Sequence, residues 1–251
     1  MELIKPEPLV IGGRAHYTLS SYEPVTVTVP VHDLTDKDVD DSVRAAIAQM
    51  GGGPERLNDD AWIRDHFDGL HGAAELRSVM REELEAANQD VTERQKAAAC
   101  SNELAKRLEQ RVPRESIAEA RRSIEQNFQM MLAQQGLSLD LFLTQSGMRK
   151  ADLDAAFDEQ ASDAAHQQAA VSAWAQKRGV TVTDDEIPQM LGLPPEEVDQ
   201  FMKNASAGGQ LDQMRETLVD AKALRMIVDE CSCTYAHDGA SGNEPPHLKL
   251  V

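Results

Sequence analysis

The sequence predicts a mainly α-helical, elongated multi-helix body with two protruding helical arms and a small N-terminal β-strand or hairpin element. Three observations predict it. Apolar residues recur at helical spacing through most of the 251 residues. Hydrophobic residues make up 41% of the chain but aromatics only 4%, so alanine and leucine carry the apolar content. That suits helices packed in thin layers better than a dense aromatic core. Glycine and proline breaks at Gly51-Gly52-Gly53-Pro54, Gly136, Gly147, Gly179, Gly192 to Pro195 and Gly208-Gly209 then divide the pattern into helix-length segments.

Residues 1–16, with Pro6, Pro8 and Gly12-Gly13, read as a flexible lead-in. A strand linker and a helix follow over 17–50. Alternation runs from His16 to Ser20, and Val25, Val27, Val29 and Val31 repeat with a period of two. Pro30 cannot donate to a ladder, which makes this an edge strand, and the two runs are expected to pair as a hairpin. Thr35 caps a helix with Asp36 and Asp38 in its first turn, where negative charge meets the positive end of the helix dipole. Val39, Val43, Ile47 and Met50 form its apolar face. Residues 51–112 hold a short helix starting at Asn58 or Asp59, with Trp62, Ile63 and Phe67, then a long spine helix from Ala73 to about Arg111.

Residues 113–179 read as the first arm. Pro113 suits a first helical position. Ile117, Ile124, Phe128 and Met131 continue that helix to Gln135-Gly136. Ser138 caps a short helix that Gly147 stops, and a long returning helix runs from Lys150 to Arg178-Gly179. Residues 180–235 read as a second arm and a closing helix. Thr183-Asp184-Asp185-Glu186 has the spacing of a capping box. The tail, 236–251, carries glycine, proline and polar residues and is expected to be disordered.

The formal charge of −18 excludes a nucleic-acid surface, which needs cations against phosphate, and argues against docking on anionic lipid. No apolar run reaches the roughly 18 residues of a membrane span. No secretory signal is visible at the start of the chain, and three cysteines make no disulfide framework, so the expected location is the cytoplasm. Cys231-x-Cys233-x₃-His237 has thiolate and imidazole but no fourth ligand in view, so neither a metal nor a cofactor is expected. A redox role for the cysteine pair stays open. His66 and His71 read as turn residues. Gly51-Gly52-Gly53 lacks the Lys-Ser/Thr of a phosphate loop, and the carboxylates are spread along solvated helix faces, so no catalytic residue is assigned.

Four stretches resemble trigger factor, the bacterial chaperone of newly made proteins. Tyr22 to Val31 followed by Leu34 to Asp40 is similar to the family's linker strand and the helix after it. Leu57 to Ala61 with Leu76-Arg77 resembles the start of its helical body. Val112 to Ser116 followed by Gln135 to Asp140 is similar to its first arm, and Val180 to Glu186 with Asp220 to Leu224 to its second arm and closing helix. The resemblance covers about Tyr17 to Tyr235 and rests on order and spacing. It implies the linker and the C-terminal chaperone body. Nothing like the family's Gly-Phe-Arg-x-x-Lys ribosome loop occurs, so ribosome docking is not expected. Only Gly51 to Arg56 fills the place where the resemblance would put the prolyl isomerase domain, too few residues for a core, so no isomerase activity is expected.

These readings converge on an ATP-independent holdase that binds unfolded or nascent polypeptide in an apolar cleft between the arms. The candidate client-binding residues are Phe128, Met130, Met131, Leu137, Leu139, Phe142, Leu143 and Met148 on the first arm. Met190, Leu193, Phe201 and Met202 are their counterparts on the second. Methionine suits such a surface because it is flexible and polarizable. The competing reading of each residue is packing within its own arm. Two other functions compete: an adaptor that docks one folded partner or a second copy of itself through the same cleft, and, by family name only, a prolyl isomerase.

Overall fold

The computed structural model describes residues 5–11 and 14–237. The chain runs β1 (Leu9–Ile11), β2 (Arg14–His16), β3 (Thr26–Val31), α1 (Asp36–Gln49), a 3₁₀ turn (Pro54–Arg56), α2 (Asp60–His66), α3 (Ala73–Ala105) and α4 (Arg114–Gln134). It continues with α5 (Leu139–Ser146), α6 (Lys150–Arg178), α7 (Glu186–Met190), α8 (Pro195–Ala207), α9 (Leu211–Glu230) and β4 (Ser232–His237). The protein is mainly α, with a small N-terminal strand element. Two compact units share the chain. One takes the described residues up to Val27 and Ala97–Ser232; the other takes Thr28–Lys96 and the described residues from Cys233.

The smaller unit is built on α1. Thr35 and Asp38 form a complete capping box: the Asp38 N–H donates to Thr35 Oγ1 at 3.3 Å, and the Thr35 N–H donates to the Asp38 carboxylate at 2.8 Å. The Thr35 hydroxyl, which donates to the Asp38 carboxylate at 2.6 Å, and then the Thr35 N–H hold the Asp38 carboxyl below its usual range. Val39, Val43 and Ile47 then face Ile63, Ala73 and Leu76 in one core, with Leu57, Trp62, Phe67 and Met80 packed around it. Ring stacking of His66 on Trp62, 4.0 Å between centroids, corrects the reading of His66 as a turn residue. It is the last residue of α2, and its Nδ1 lies 2.8 Å from the Trp62 carbonyl.

In the larger unit the N-terminal stretch departs from expectation. Within the expected lead-in, β1 and β2 pair antiparallel, Leu9 opposite His16 and Val10 opposite Ala15. The expected hairpin between residues 16–20 and 25–31 does not form, because the backbone of Thr18 to Ser20 is occupied elsewhere. Ser20 N–H donates to the Arg107 carbonyl at 2.8 Å, and Glu109 N–H donates to the Thr18 carbonyl at 3.0 Å. The same bonds end α3 at Ala105, six residues before the expected Arg111, by drawing Leu108 into a bridge with Leu19. The partner of β3 is instead β4, which spans the expected boundary between the closing helix region and a disordered tail. The rest of that tail, 238–251, lies outside the described residues.

Helix α6 is the axis of the larger unit, with α4 and α9 both packed against it. Its buried residues include Leu153, Phe157, Ala161, Ala165, Ala169 and Ala173, a stripe repeating every four positions. Small side chains let neighbouring helices approach closely, since interaxial distance follows the side chains at the contact. Polar clamps hold the rims. Arg121 on α4 pairs with Glu125 at 2.9 Å, with Asp154 at 3.3 Å and with Asp158. Between α6 and α9, Gln168 donates to Asp220 at 3.0 Å, and Arg178 pairs with Glu230 at 2.9 Å. Burial pushes the Asp220 carboxyl above its usual range, against the opposing pull of the Gln168 bond.

Ala161 is fully buried on this stripe. Ala161→Leu is therefore expected to overpack the helix contact and lower stability by about 1–3 kcal/mol. A fall in the urea unfolding midpoint with unchanged slope would show it.

Candidate functional site

The tip of the first arm is made by two glycine turns. Gly136 and Gly147 sit at φ 66° and 68°, in the left-handed region that side chains disfavour, and they stop α4 and α5. Ser138 Oγ accepts the Leu141 N–H at 3.2 Å and starts α5. Aromatic packing closes the inner side: the Phe128 ring meets Phe142 edge-on at 5.2 Å and Phe157 at 5.4 Å. Leu132 and Leu153 are buried as well.

This packing corrects one expectation. Phe128 is only 8% exposed, and its ring serves the tip's own interior. Met131, Leu137, Phe142, Leu143 and Met148 are half-buried. Two expected residues point outward, Met130 at 57% and Leu139 at 36% exposure. Helical geometry explains the division on α4: two residues turn the helix by about 200°, so Met130 faces away from Phe128 and Leu132. Leu141, 43% exposed, completes the outward set. It was missed because the spacing of Leu139, Phe142 and Leu143 marked a face without Leu141, and spacing alone gives no side of a short helix to solvent.

On the second arm, Val182, Ile187 and Leu218 form a small core, with Met190, Phe201, Met202, Leu211 and Val219 packed against it. Met190, Phe201 and Met202 thus spend part of their surface on internal contact. Leu193 is half-buried after Gly192, and its N–H closes onto the Pro188 carbonyl at 3.0 Å. Beside this core lies an open groove of about 330 Å³, lined by Leu191, Gln210, Met214, Thr217 and Leu218. None of these five was a sequence candidate, because they come from the end of α7 and one side of α9 and converge only in the fold. All five lining residues lie between positions 191 and 218, so this groove belongs to the second arm and α9.

Electrostatics fasten the arm's base. The expected capping box at Thr183 is half formed. Glu186 accepts the Thr183 N–H at 2.8 Å, but the Glu186 N–H goes to the Thr183 carbonyl and not to its hydroxyl. The Glu186 carboxylate also takes Lys222 Nζ at 2.6 Å, and Lys222 reaches the Thr181 carbonyl at 2.9 Å. The Lys222 bond, then the Thr183 N–H, lower the Glu186 pKa from 4.5 to about 2. Arg215 pairs at 2.6 Å with both Asp184 and Asp212. Among the described residues no group of three or more His, Cys, Asp or Glu is placed to hold a metal. Cys231 and Cys233 are unbridged thiols, and His237 Nδ1 lies 2.7 Å from Asp33. No helix among the described residues is long and apolar enough to cross a membrane.

Comparison with known proteins identifies the family. The family described as bacterial trigger factor protein C-terminus matches residues 73–229. The chain belongs to that family. It is 24% identical over 211 residues to the trigger factor of Shouchella clausii, covering 82% of this chain and 45% of that protein. It is 23% identical over 208 residues to the trigger factor of Bacillus licheniformis, with the same coverage. The chain therefore spans under half the length of these curated relatives. The matched region is their non-enzymatic C-terminus and does not extend to the prolyl isomerase domain. Among solved structures, the hypothetical Mycoplasma protein MPN555 superposes with a TM-score of 0.44 at 8% identity, over 88% of this chain and 90% of that one.

The Glu186 contacts set a pH dependence. A carboxylate whose pKa is depressed on folding stabilises the folded state above its unfolded value and loses that effect as pH falls through the folded one. Wild type is expected to exceed Glu186→Gln in stability by a constant margin above pH 4.5, and the margin should shrink from there down to about 2. Urea titrations followed by circular dichroism across that range would measure it.

Proposed function

We propose that this chain is an ATP-independent holding chaperone that keeps non-native polypeptide soluble through exposed apolar surface on its two arms. The observation that carries the reading is the outward set Met130, Leu139 and Leu141, exposed at the end of an arm whose inner face is already sealed by Phe128, Phe142 and Phe157. Three large apolar side chains left to solvent between positions 130 and 141, on a protein of this charge, support a contact surface at this tip. Membership of the trigger factor C-terminus family supports the same reading. The groove beside Leu191 and Met214 gives the second arm a complementary place for an aliphatic side chain.

Affinity in this mechanism comes from removing apolar area from water, at roughly 25 cal/mol per Å² spread over several weak contacts. Two arms that engage one client gain further through effective concentration. The surface charge keeps the loaded complex dispersed. Unfolded or nascent chains are the clients, the site of action is the cytoplasm, and no ATP or bond chemistry enters.

The test uses residues that the arm does not need for its own packing. Replacing Met130, Leu139 and Leu141 together with serine is expected to weaken client binding about tenfold or more, since 1.4 kcal/mol corresponds to a factor of ten. Helical circular dichroism should stay at the wild-type level. Light scattering of several unrelated proteins diluted from denaturant would read the loss of protection. Full protection by the triple variant would sink the assignment to the tip, and protection of a single partner only would favour the adaptor.

A further inference from the structure

Two thiols stand two positions apart where α9 gives way to β4. Cys231 caps the C-terminus of α9 in an extended conformation, φ −68° and ψ 149°, and Cys233 is the second residue of β4. Side chains two positions apart on extended backbone point to the same side. At a rise of about 3.3 Å per residue their Cα atoms lie roughly 6.6 Å apart, inside the span of about 4.4–6.8 Å that a disulfide bridges. Both thiols are unbridged and half-buried, so solvent reaches them, whereas the third cysteine, Cys100, is fully buried on α3. Reactive cysteines sit in partly exposed sites beside cations or hydrogen-bond donors. Cys233 has such a donor. Tyr235 keeps its phenol proton above the usual range, first because its hydroxyl hydrogen-bonds to the Cys233 sulfur, with the Lys96 ammonium pulling the other way. A phenol that keeps its proton remains a donor to that sulfur. On the other side of the pair, the carboxylate next to Cys231 in the chain is engaged: Glu230 pairs with Arg178 at 2.9 Å.

We infer that Cys231 and Cys233 form a reversible dithiol–disulfide site that takes small disulfides of the glutathione class. The Cys233 thiolate attacks one sulfur of the incoming disulfide. A mixed disulfide forms on Cys233, and the other half of the small molecule leaves as a thiolate. Cys231, as a thiolate, then attacks the Cys233 sulfur. The second half leaves in the same way, and the Cys231–Cys233 bond closes. The protein pair gives up two electrons and two protons, and the small disulfide takes them up to become two thiols. Closing the bridge draws on Ser232, whose N–H donates to the Val25 carbonyl at 2.9 Å. A bridge formed near the upper end of the usual spacing, against that bond, is readily opened again by the thiol form of the same small molecule. Neither step involves a polypeptide client, so the site stands apart from the holding function.

The experiment treats the full chain, without denaturant, with oxidised glutathione and reads its intact mass. The wild type should lose two hydrogens, retain no glutathione and form no covalently joined pair of chains. Peptide mapping should place the loss on the fragment that holds Cys231 and Cys233, with Cys100 still a thiol. Reduced glutathione should then restore the starting mass. Cys231→Ser should stop halfway and keep glutathione on Cys233, because no second thiol is in place to displace it. Adding Tyr235→Phe to that variant should slow adduct formation by about threefold at unchanged helicity, since the sulfur loses its donor. A wild type that stays unoxidised, retains glutathione, joins two chains or bridges through Cys100 overturns the inference. A Cys231→Ser chain that takes up no glutathione, or that reacts as fast without the Tyr235 hydroxyl, overturns the assignment of the first attack to Cys233.

Discussion

Close approach of α6 to its neighbours depends on side chains no larger than a methyl group at Ala161, Ala165, Ala169 and Ala173. An alanine buries little apolar area, so no single contact of this kind stabilises much. The contact works by length: many small residues in register, with dispersion summed over closely spaced backbones. Leu153 and Phe157 continue the same stripe toward the tip, where larger side chains meet Phe128 and Phe142. A stripe that repeats every four residues drifts around a helix of 3.6 residues per turn. Toward Trp174 the buried residues accordingly occupy more than one side of α6: Ala169, Ala170, Val171, Ala173, Trp174 and Ala175 are all buried.

Polar clamps complement this weak, distributed packing. Arg121 alone reaches three carboxylates. Exposed ion pairs contribute little individually, and their value here lies in register: they fix which turn of α4 lies beside which turn of α6. Gln168 and Asp220 do the same for α9, with a carboxyl whose pKa burial has raised. In the second arm, Glu186 and Lys222 tie the short helix α7 to α9, so the groove has two walls held at fixed spacing. Among the described residues of the first arm, the large apolar side chains left most open to water are Met130, Leu139 and Leu141.

Much of this was legible from residues alone. Thr35 with Asp38, Ser138 before Leu139, and glycines 136, 147 and 179 marked real helix ends, because caps and left-handed turns are local chemistry. The tip's apolar residues were legible as a group. Their division into inward and outward was not, since Phe128 and Met130 differ only in what stands opposite them. The groove was illegible: Leu191 and Met214 lie 23 positions apart, and nothing in their spacing announces that α7 ends against α9. The spine helix was read too long for a similar reason. Its last expected turns, Lys106 to Arg111, can form helix, and only the strand-like partner at Thr18 to Ser20 draws them out.

The sequence by itself determined the helical class, the order of the helices and the places where they stop, because these follow from periodicity and from side chains bonding to nearby backbone. Tertiary structure alone decided the pairing of β3 with β4, the burial of α6 on more than one side, and which apolar residues meet water. The physical reason is range. A cap or a glycine turn acts within four residues and leaves its mark there. A strand pair or a helix contact joins residues up to some two hundred positions apart, and alanine, valine and leucine carry no sign of the partner they will meet.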